Sequence, residues 1–236
     1  MGLFRQLFDD DSSTLSYLIA DEVSREALII DPVLGQVARD LALIRECGLT
    51  LRHVVETHVH ADHVTGAARL REATGASVVV GAAAGVDCAD RAIGNGETLQ
   101  LGGETLIAMA TPGHTRGCTS YRWRDRVFTG DTLLIGGCGR TDFQQGDAGQ
   151  LYDSLQRLLA LPGETLVYPA HDYAGRRVSC IDEERRLNSR IAGRDREAFV
   201  ALMGGLRLPY PRRIDEALPA NEACGRARRK AAAAPV

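Results

Sequence analysis

The segment Thr57-His58-Val59-His60-Ala61-Asp62-His63 places three histidines and one aspartate within seven residues, directly after an apolar run that ends at Val55. Imidazole and carboxylate groups are the ligands that hold zinc or non-haem iron in proteins. A lone histidine after a strand is more often a hydrogen-bonded loop residue than a ligand, but four such groups this close together predict a metal site. An extended chain over residues 57–61 would point His58 and His60 to the same side.

Three further potential ligands follow apolar strands in the same way. They are His114 in Thr111-Pro112-Gly113-His114-Thr115, Asp131 in Phe128-Thr129-Gly130-Asp131, and His171 in Tyr168-Pro169-Ala170-His171-Asp172. Taken singly, an aspartate after a glycine at a strand end is usually a turn residue. Taken together, four strand ends that deliver histidine or aspartate to one edge of a fold predict a single site.

The hydrophobic pattern predicts an alternating first half and a β-rich second half. The first half has a hairpin at 15–20 and 27–30, a helix at 36–47, a strand at 51–55, a helix at 64–74 with Asp62 as its N-cap or first-turn residue, and a strand at 77–80. An antiparallel meander follows at 98–101, 105–110, 119–123 and 127–129, and then a helix at 148–159, a strand at 165–168 and charged helices at 182–191 and 195–203. These elements favour an α/β fold of two mixed sheets with helices outside and the ligands on strand-end loops.

Length and composition narrow the class of protein. The 236 residues suffice for one large domain or two small ones, and the net charge is −3 with arginines interspersed among acids, so we expect no nucleic-acid partner. No stretch approaches the roughly 20 apolar residues of a membrane span, and the N-terminus lacks the apolar region of a secretory signal. We therefore expect a cytoplasmic protein with no membrane partner. Six scattered cysteines show no short pairing motif, and reduced thiols are the expectation.

The set His58-x-His60-x-Asp62-His63 with His114, Asp131 and His171 resembles the metallo-β-lactamase superfamily, whose αββα sandwich carries its metals on one edge. Within it, the chain is similar to the persulfide dioxygenases, also called sulfur dioxygenases. The likeness is carried by Gly137-Cys138-Gly139-Arg140-Thr141-Asp142-Phe143-Gln144-Gln145-Gly146, Tyr168-Pro169-Ala170-His171-Asp172-Tyr173 and Leu218-Pro219-Ala220-Asn221. It extends from Phe4 to about Gly225. We expect one domain over residues 1–225, including a short C-terminal extension, and a disordered tail over 226–236.

The resemblance implies one Fe(2+) per chain, held by the catalytic residues His58, His114 and Asp131, with open positions for glutathione persulfide and O2. The products would be sulfite and glutathione. His60, Asp62, His63 and His171, which match second-metal ligands of hydrolytic relatives, would form a hydrogen-bonded polar shell around that site. For substrate binding, the resemblance assigns the glycine carboxylate of glutathione to Arg140 and the peptide portion to Tyr173, and it implies a homodimer.

Two other functions remain open on the sequence. A glyoxalase II-like hydroxyacylglutathione thioesterase would use two metals and a bridging hydroxide, and every ligand for it is present. The block 139–143 and the short C-terminal region argue against it, since about 33 residues follow Met203, too few for the helical glutathione-binding domain of those thioesterases. A noncatalytic metal-stabilised module or sulfide sensor fits less well, because the ligands are intact. Iron and zinc both accept histidine and aspartate, so the ligand types alone do not choose the metal.

Overall fold

The structure, a computed structural model, describes residues 2–226 and contains two six-stranded sheets. The first sheet has the order β1 (Gly2–Asp9), β2 (Thr14–Asp21), β3 (Glu26–Ile30), β4 (Thr50–Val55), β5 (Ser77–Gly81) and β6 (Arg91–Ile93). Strands β1 to β3 are antiparallel, and β3 to β6 are parallel. The pairs β3–β4 and β4–β5 are connected by α1 (Val37–Glu46) and α2 (Ala67–Thr74), and β5 and β6 by a shorter segment with a 3-10 turn at Ala82–Ala84.

The second sheet begins with the predicted meander. It contains β7 (Thr98–Leu101), β8 (Glu104–Ala110), β9 (Thr119–Trp123), β10 (Arg126–Gly130), β11 (Leu166–Pro169) and β12 (Ser179–Cys180). Strands β7 to β10 are antiparallel, and β11 joins β10 in parallel after the crossover helix α3 (Ala148–Leu159). Three helices follow: α4 (Ile181–Leu187), α5 (Arg196–Gly205) and α6 (Ile214–Asn221).

Alternation along the strands places the core in three layers. In β2, Leu15, Tyr17 and Ile19 belong to a cluster shared by both sheets, whereas Leu18 and Ala20 face a second cluster that contains residues of α1 and α2. A third cluster joins the second sheet to the leucines of α3 and to α5. This is the predicted αββα sandwich, with the apolar faces of the two sheets against each other and helices on both outer faces.

The structure also corrects several predicted elements. The helix predicted over 64–74 begins at Ala67 with Gly66 as N-cap, so Asp62 is not a capping residue. Strands β1, β6 and β12 and helix α6, which contains Pro219, were not predicted. Of the predicted tail over 226–236, residues 227–236 lie outside the described part of the chain. Among residues 2–226, no helix is long and apolar enough to cross a membrane.

The expectation of reduced thiols is wrong for one pair of cysteines. Cys88, after β5, and Cys224, after α6, form a disulfide across a sequence separation of 136 residues. The spacing along the chain could not reveal this pair, because only the packing of α6 beside the first sheet brings the two residues together. Cys47, Cys118, Cys138 and Cys180 are free.

Loss of the disulfide should destabilise the fold, because the cross-link limits the freedom of the unfolded chain. We expect Cys88→Ser to lower the free energy of unfolding by about 2–4 kcal/mol, measured by denaturant unfolding under oxidising conditions. The matched control is Cys47→Ser, which changes a free thiol. Equal stability of the two variants, or equal stability of the wild type with and without a reductant, would contradict the prediction.

Candidate metal centre

The four predicted strand ends meet at one edge of the sandwich. His58 follows β4 of the first sheet, whereas His114, Asp131 and His171 follow β8, β10 and β11 of the second. The edge therefore collects potential ligands from both sheets. The predicted ligands separate into two neighbouring groups, each with ligand atoms within 4.8 Å of one another, and His60 also belongs to a third group with Asp31 and Glu56.

The first group is the triad of His58, His114 and Asp131. The ring centroids of His58 and His114 are 4.9 Å apart, and His114 Nε2 lies 3.6 Å from Asp131 Oδ2. Two imidazoles and one carboxylate at this spacing fit a divalent metal that keeps open positions.

Hydrogen bonds on the far side of each imidazole orient the triad. His58 Nδ1 donates to Thr57 Oγ1 at 3.0 Å, and this hydroxyl donates to Asp31 Oδ2 at 2.8 Å. His114 Nδ1 donates to the carbonyl of Arg140 at 2.7 Å. Both rings therefore keep the Nε2 lone pair for a metal, which is the usual function of such outer hydrogen bonds.

Asp31 and Thr57 are functional residues that sequence reasoning missed. Asp31 directly follows β3 and has a positive φ of 49°, and its other oxygen accepts the backbone N–H of Thr57 at 2.7 Å. The Asp31-Pro32 pair indicated only the end of a strand. Nothing in the local pattern connects Asp31 with a histidine that follows the next strand.

The second group contains His60, Asp62, His63 and His171, and Asp62 is at its centre. Asp62 Oδ2 accepts hydrogen bonds from His171 Nε2 at 2.9 Å and from His63 Nδ1 at 2.7 Å. The other nitrogen of His171, Nδ1, donates to Asp131 Oδ1 at 2.7 Å. His171 thus links the second group to the triad. The carboxylate predicted to cap a helix is instead an acceptor for two imidazoles.

Burial and neighbouring charges shift the pKa values of His58 and His171 in opposite directions. Burial, reinforced by His60, lowers the pKa of His58 well below its ordinary value, which favours the neutral form that a metal ligand needs. Burial acts the same way on His171, but the carboxylates of Asp131 and Asp62 outweigh it and raise the pKa of His171 well above its ordinary value. In turn, although burial raises the pKa of Asp131, the charge of His171 and its hydrogen bond hold this pKa below the usual range.

Only some of the side chains in the two groups reach the cleft beside the triad. A cleft of about 690 Å³ is lined by all three residues of the triad, and Asp62 and His171 also reach it. His60 and His63 do not line this cleft and are 1% and 0% exposed. The predicted convergence of His58 and His60 is confirmed, with ring centroids 4.0 Å apart, but the two rings belong to different groups.

Two glycines give the ligands the space they need. Gly130 precedes Asp131 with a positive φ of 55°, and a Cβ there would lie 2.7 Å from Thr57 Oγ1. A Cβ on Gly139 would lie 2.8 Å from the ring of His114. A side chain at either position would therefore displace a ligand or its hydrogen-bond partner.

The C-terminal helix α6 supports the same loop. Asn221 Nδ2 donates to the carbonyls of His60 and His63, both at 2.8 Å, and Asn221 Oδ1 accepts the N–H of Thr65 at 2.9 Å. The family resemblance of Leu218-Pro219-Ala220-Asn221 gives the asparagine no role. The structure shows that it fixes the backbone of the histidine segment from about 160 residues away.

The two predicted substrate contacts both line the cleft. Tyr173 is 70% exposed and stacks on His171 with ring centroids 5.4 Å apart. Arg140 binds Asp142 through Nε at 2.6 Å and NH2 at 2.7 Å, and its NH1 donates to the carbonyl of Pro209 at 2.8 Å. Three of its five N–H groups are engaged, which leaves two donors for a ligand.

Comparison with known proteins agrees with this geometry. Residues 9–171 match the family model of the metallo-beta-lactamase superfamily. The mitochondrial persulfide dioxygenase ETHE1 of Homo sapiens is 49% identical over 227 residues, which covers 94% of this chain and 89% of that protein. The chain belongs to the persulfide dioxygenase family of the metallo-β-lactamase superfamily.

A solved structure and a hydrolase show how the likeness to this family compares with the likeness to thioesterases. The crystal structure of ETHE1 from Myxococcus xanthus matches with a TM-score of 0.93 and 56% identity, over 95% of this chain and 100% of that one. A hydroxyacylglutathione hydrolase of Ectopseudomonas mendocina is 39% identical over 160 residues, 66% of this chain and 61% of that protein. The likeness to persulfide dioxygenases therefore covers more of the chain at higher identity.

Removing the Thr57 hydroxyl should weaken metal binding without unfolding the site. Thr57→Val keeps the shape of the side chain and the backbone bond to Asp31 but leaves His58 Nδ1 without its acceptor and Asp31 Oδ2 without its hydroxyl donor, so we expect a roughly 10–100-fold loss of metal affinity. Metal titration of the apoprotein gives the measurement. Thr105→Val, which removes a hydroxyl that donates to Gln100 on the meander, is the control. An unchanged affinity in Thr57→Val would show that the hydroxyl does not orient His58.

Proposed function

We propose that the protein is a glutathione-dependent persulfide dioxygenase with one ferrous iron held by His58, His114 and Asp131. The observation that carries the proposal is the triad of two histidines and one carboxylate at the floor of an open cleft. This ligand set is typical of non-haem iron oxygenases. Iron bound there would supply the redox chemistry by which O2 oxidises a sulfur atom.

The reaction balances with one water. Glutathione persulfide, O2 and H2O give glutathione and sulfurous acid, which ionises to sulfite. The S–S bond breaks, the outer sulfur loses four electrons, and O2 gains them. Two of the three sulfite oxygens come from O2 and the third from water, while the inner sulfur leaves as the thiol.

The residues around the triad bind and orient the reactants. His171 fixes Asp131 through its Nδ1 hydrogen bond, and Tyr173 covers the ring of His171 on the cleft side. We assign the peptide portion of glutathione to Tyr173. We assign its glycine carboxylate to the two remaining N–H donors of Arg140, because a guanidinium suits a carboxylate.

A binuclear thioesterase is the second candidate, and one observation favours it. Among the described residues, Nε2 of His63 is buried without a hydrogen-bond partner, as a ligand of a second metal would be, and the buried Nε2 of His60 lies 3.2 Å from Asp31 Oδ1. Against it, both nitrogens of His171 are engaged by carboxylates, and His60 and His63 do not line the cleft. Metal analysis distinguishes iron from zinc and one metal per chain from two.

The direct test is metal analysis of protein purified without oxygen, together with O2 consumption on adding glutathione persulfide. We expect one iron per chain and one O2 consumed per sulfite formed. Asp131→Ala should lose metal and turnover together, because it removes one of three protein ligands and the negative charge of the triad. Retention of iron and full activity in this variant would refute the assignment.

His171→Ala should distinguish the one-metal from the two-metal enzyme. With one iron, losing the group that orients Asp131 should lower activity by roughly 10–100-fold while about one metal per chain remains. His53→Ala is the matched control, since His53 bonds Ser77 and belongs to neither ligand group. Two metals in the wild type and one in His171→Ala would favour the thioesterase.

The quaternary structure and location stay predictions. We propose a cytoplasmic homodimer, and the likeness to the family supports the dimer. The mammalian relatives are named mitochondrial.

A further inference from the structure

The segment between α5 and α6 forms one wall of the cleft above the triad. Residues 209–214 line the cleft, and three contacts hold them there. Arg140 NH1 donates to the carbonyl of Pro209, Tyr210 donates its hydroxyl to Asp215 at 2.8 Å, and the ring of Tyr210 meets Phe143 edge-on at 5.5 Å. The wall is therefore attached to the same loop that carries Arg140.

Three arginines line this cleft, and they differ in how far their charge is already neutralised. Arg140 forms a two-pronged pair with Asp142, and Arg213 pairs with Glu216 at 3.1 Å. Arg212 is exposed and makes no hydrogen bond or ion pair within residues 2–226. It is the cleft arginine whose full charge and planar fork stay available.

The aspartates that line the cleft also differ in whether their charge is already paired. Asp62 and Asp131 are both bound by His171. Asp11, in the turn between β1 and β2, also lines the cleft, is exposed, and has no hydrogen-bond or ion-pair partner in the described part of the chain. One unpaired cation and one unpaired anion thus face the space above the triad.

This pair of charges matches one end of glutathione better than the other. The γ-glutamyl end carries an ammonium and a carboxylate on the same carbon, whereas the glycine end carries a carboxylate alone. Arg140, which is paired with Asp142, has donors left for a single carboxylate but offers nothing to an ammonium. A zwitterion needs a free acid as well as a free guanidinium.

We propose that Arg212 and Asp11 bind the γ-glutamyl end of the substrate, Arg212 its carboxylate and Asp11 its ammonium. This inference rests on the proposed function in taking glutathione persulfide as the substrate. The two residues set specificity for the thiol carrier and touch no reacting atom. Their interactions are therefore the same in the ground and transition states, and they act on KM more than on kcat.

Steady-state kinetics of Arg212→Ala and Asp11→Asn test the assignment. We expect each variant to raise KM for glutathione persulfide by roughly three- to tenfold, with kcat little changed, because both groups are solvent-exposed. With cysteinylglycine persulfide, which lacks the γ-glutamyl group, the variants should match the wild type. With γ-glutamylcysteine persulfide, which lacks glycine, their defect should persist.

Matched control variants distinguish a direct contact with the substrate from an effect of the change in net charge. Arg207→Ala makes the same charge change in the same segment, and Asp10→Asn does so beside Asp11, but neither control residue lines the cleft. Equal defects in the controls, or an equal loss on cysteinylglycine persulfide, would overturn the proposal. The first result would indicate a long-range field, and the second a supporting role for the wall.

Measuring glutathione binding tests this subsite separately from the proposed dioxygenase activity. Calorimetry with glutathione itself, on the metal-loaded protein without oxygen, should show weaker binding in Arg212→Ala and Asp11→Asn and unchanged binding in the controls. If the wild type binds glutathione but consumes no O2 with its persulfide, the dioxygenase proposal fails while the subsite is still measured. Unchanged glutathione binding in both variants would refute the subsite.

Discussion

Thr57 is the point at which both sheets and the metal site are joined. Its backbone N–H and hydroxyl donate to Asp31 at the end of β3, and its carbonyl accepts the N–H of Thr119 at the start of β9 at 2.8 Å. Its hydroxyl also accepts from His58, and Gly130 lies against it. Because these contacts are buried, each unmet polar group would cost free energy, so the two sheets and the ligand are held in one arrangement.

The same constraint explains why glycines lie directly against the ligands or their hydrogen-bond partners. A glycine at 130 lets Asp131 leave β10 beside Thr57, and a glycine at 139 leaves space for the ring of His114. Asn221 then satisfies the carbonyls of the histidine segment, which belongs to no strand or helix. Irregular backbone is stable inside a protein only where such partners exist.

Division of the ligands into two groups gives the centre its chemical character. The triad is open to the cleft, whereas Asp62, which also reaches the cleft, is already bound by His63 and His171. His171 joins the two groups and uses both nitrogens to do so. A site of this kind can bind substrate at the triad while the second group holds its geometry, which supports a one-metal oxygenase over a two-metal hydrolase.

Much of the fold was predictable because its signals are local. Helix α3 was predicted over its full range, and the structure shows Leu151, Leu155 and Leu158 buried on one face and Asp147 capping its start. Strand β1 was missed because its residues are mostly half-buried and lack a clear apolar run. Helix α6 was missed because Pro219 interrupts the helical pattern.

By itself, the sequence determined the ligand chemistry, the strand-end positions of the ligands and the family, because side-chain type and turn residues are properties of short segments. Only the tertiary structure decided which ligands share a group and which of them face the cleft. It also paired Cys88 with Cys224, connected Asp31 and Asn221 to the histidine loop, and left Arg212 without a partner among residues 2–226. The physical reason is that these relations join residues far apart in the chain, and they exist only once the two sheets have packed together.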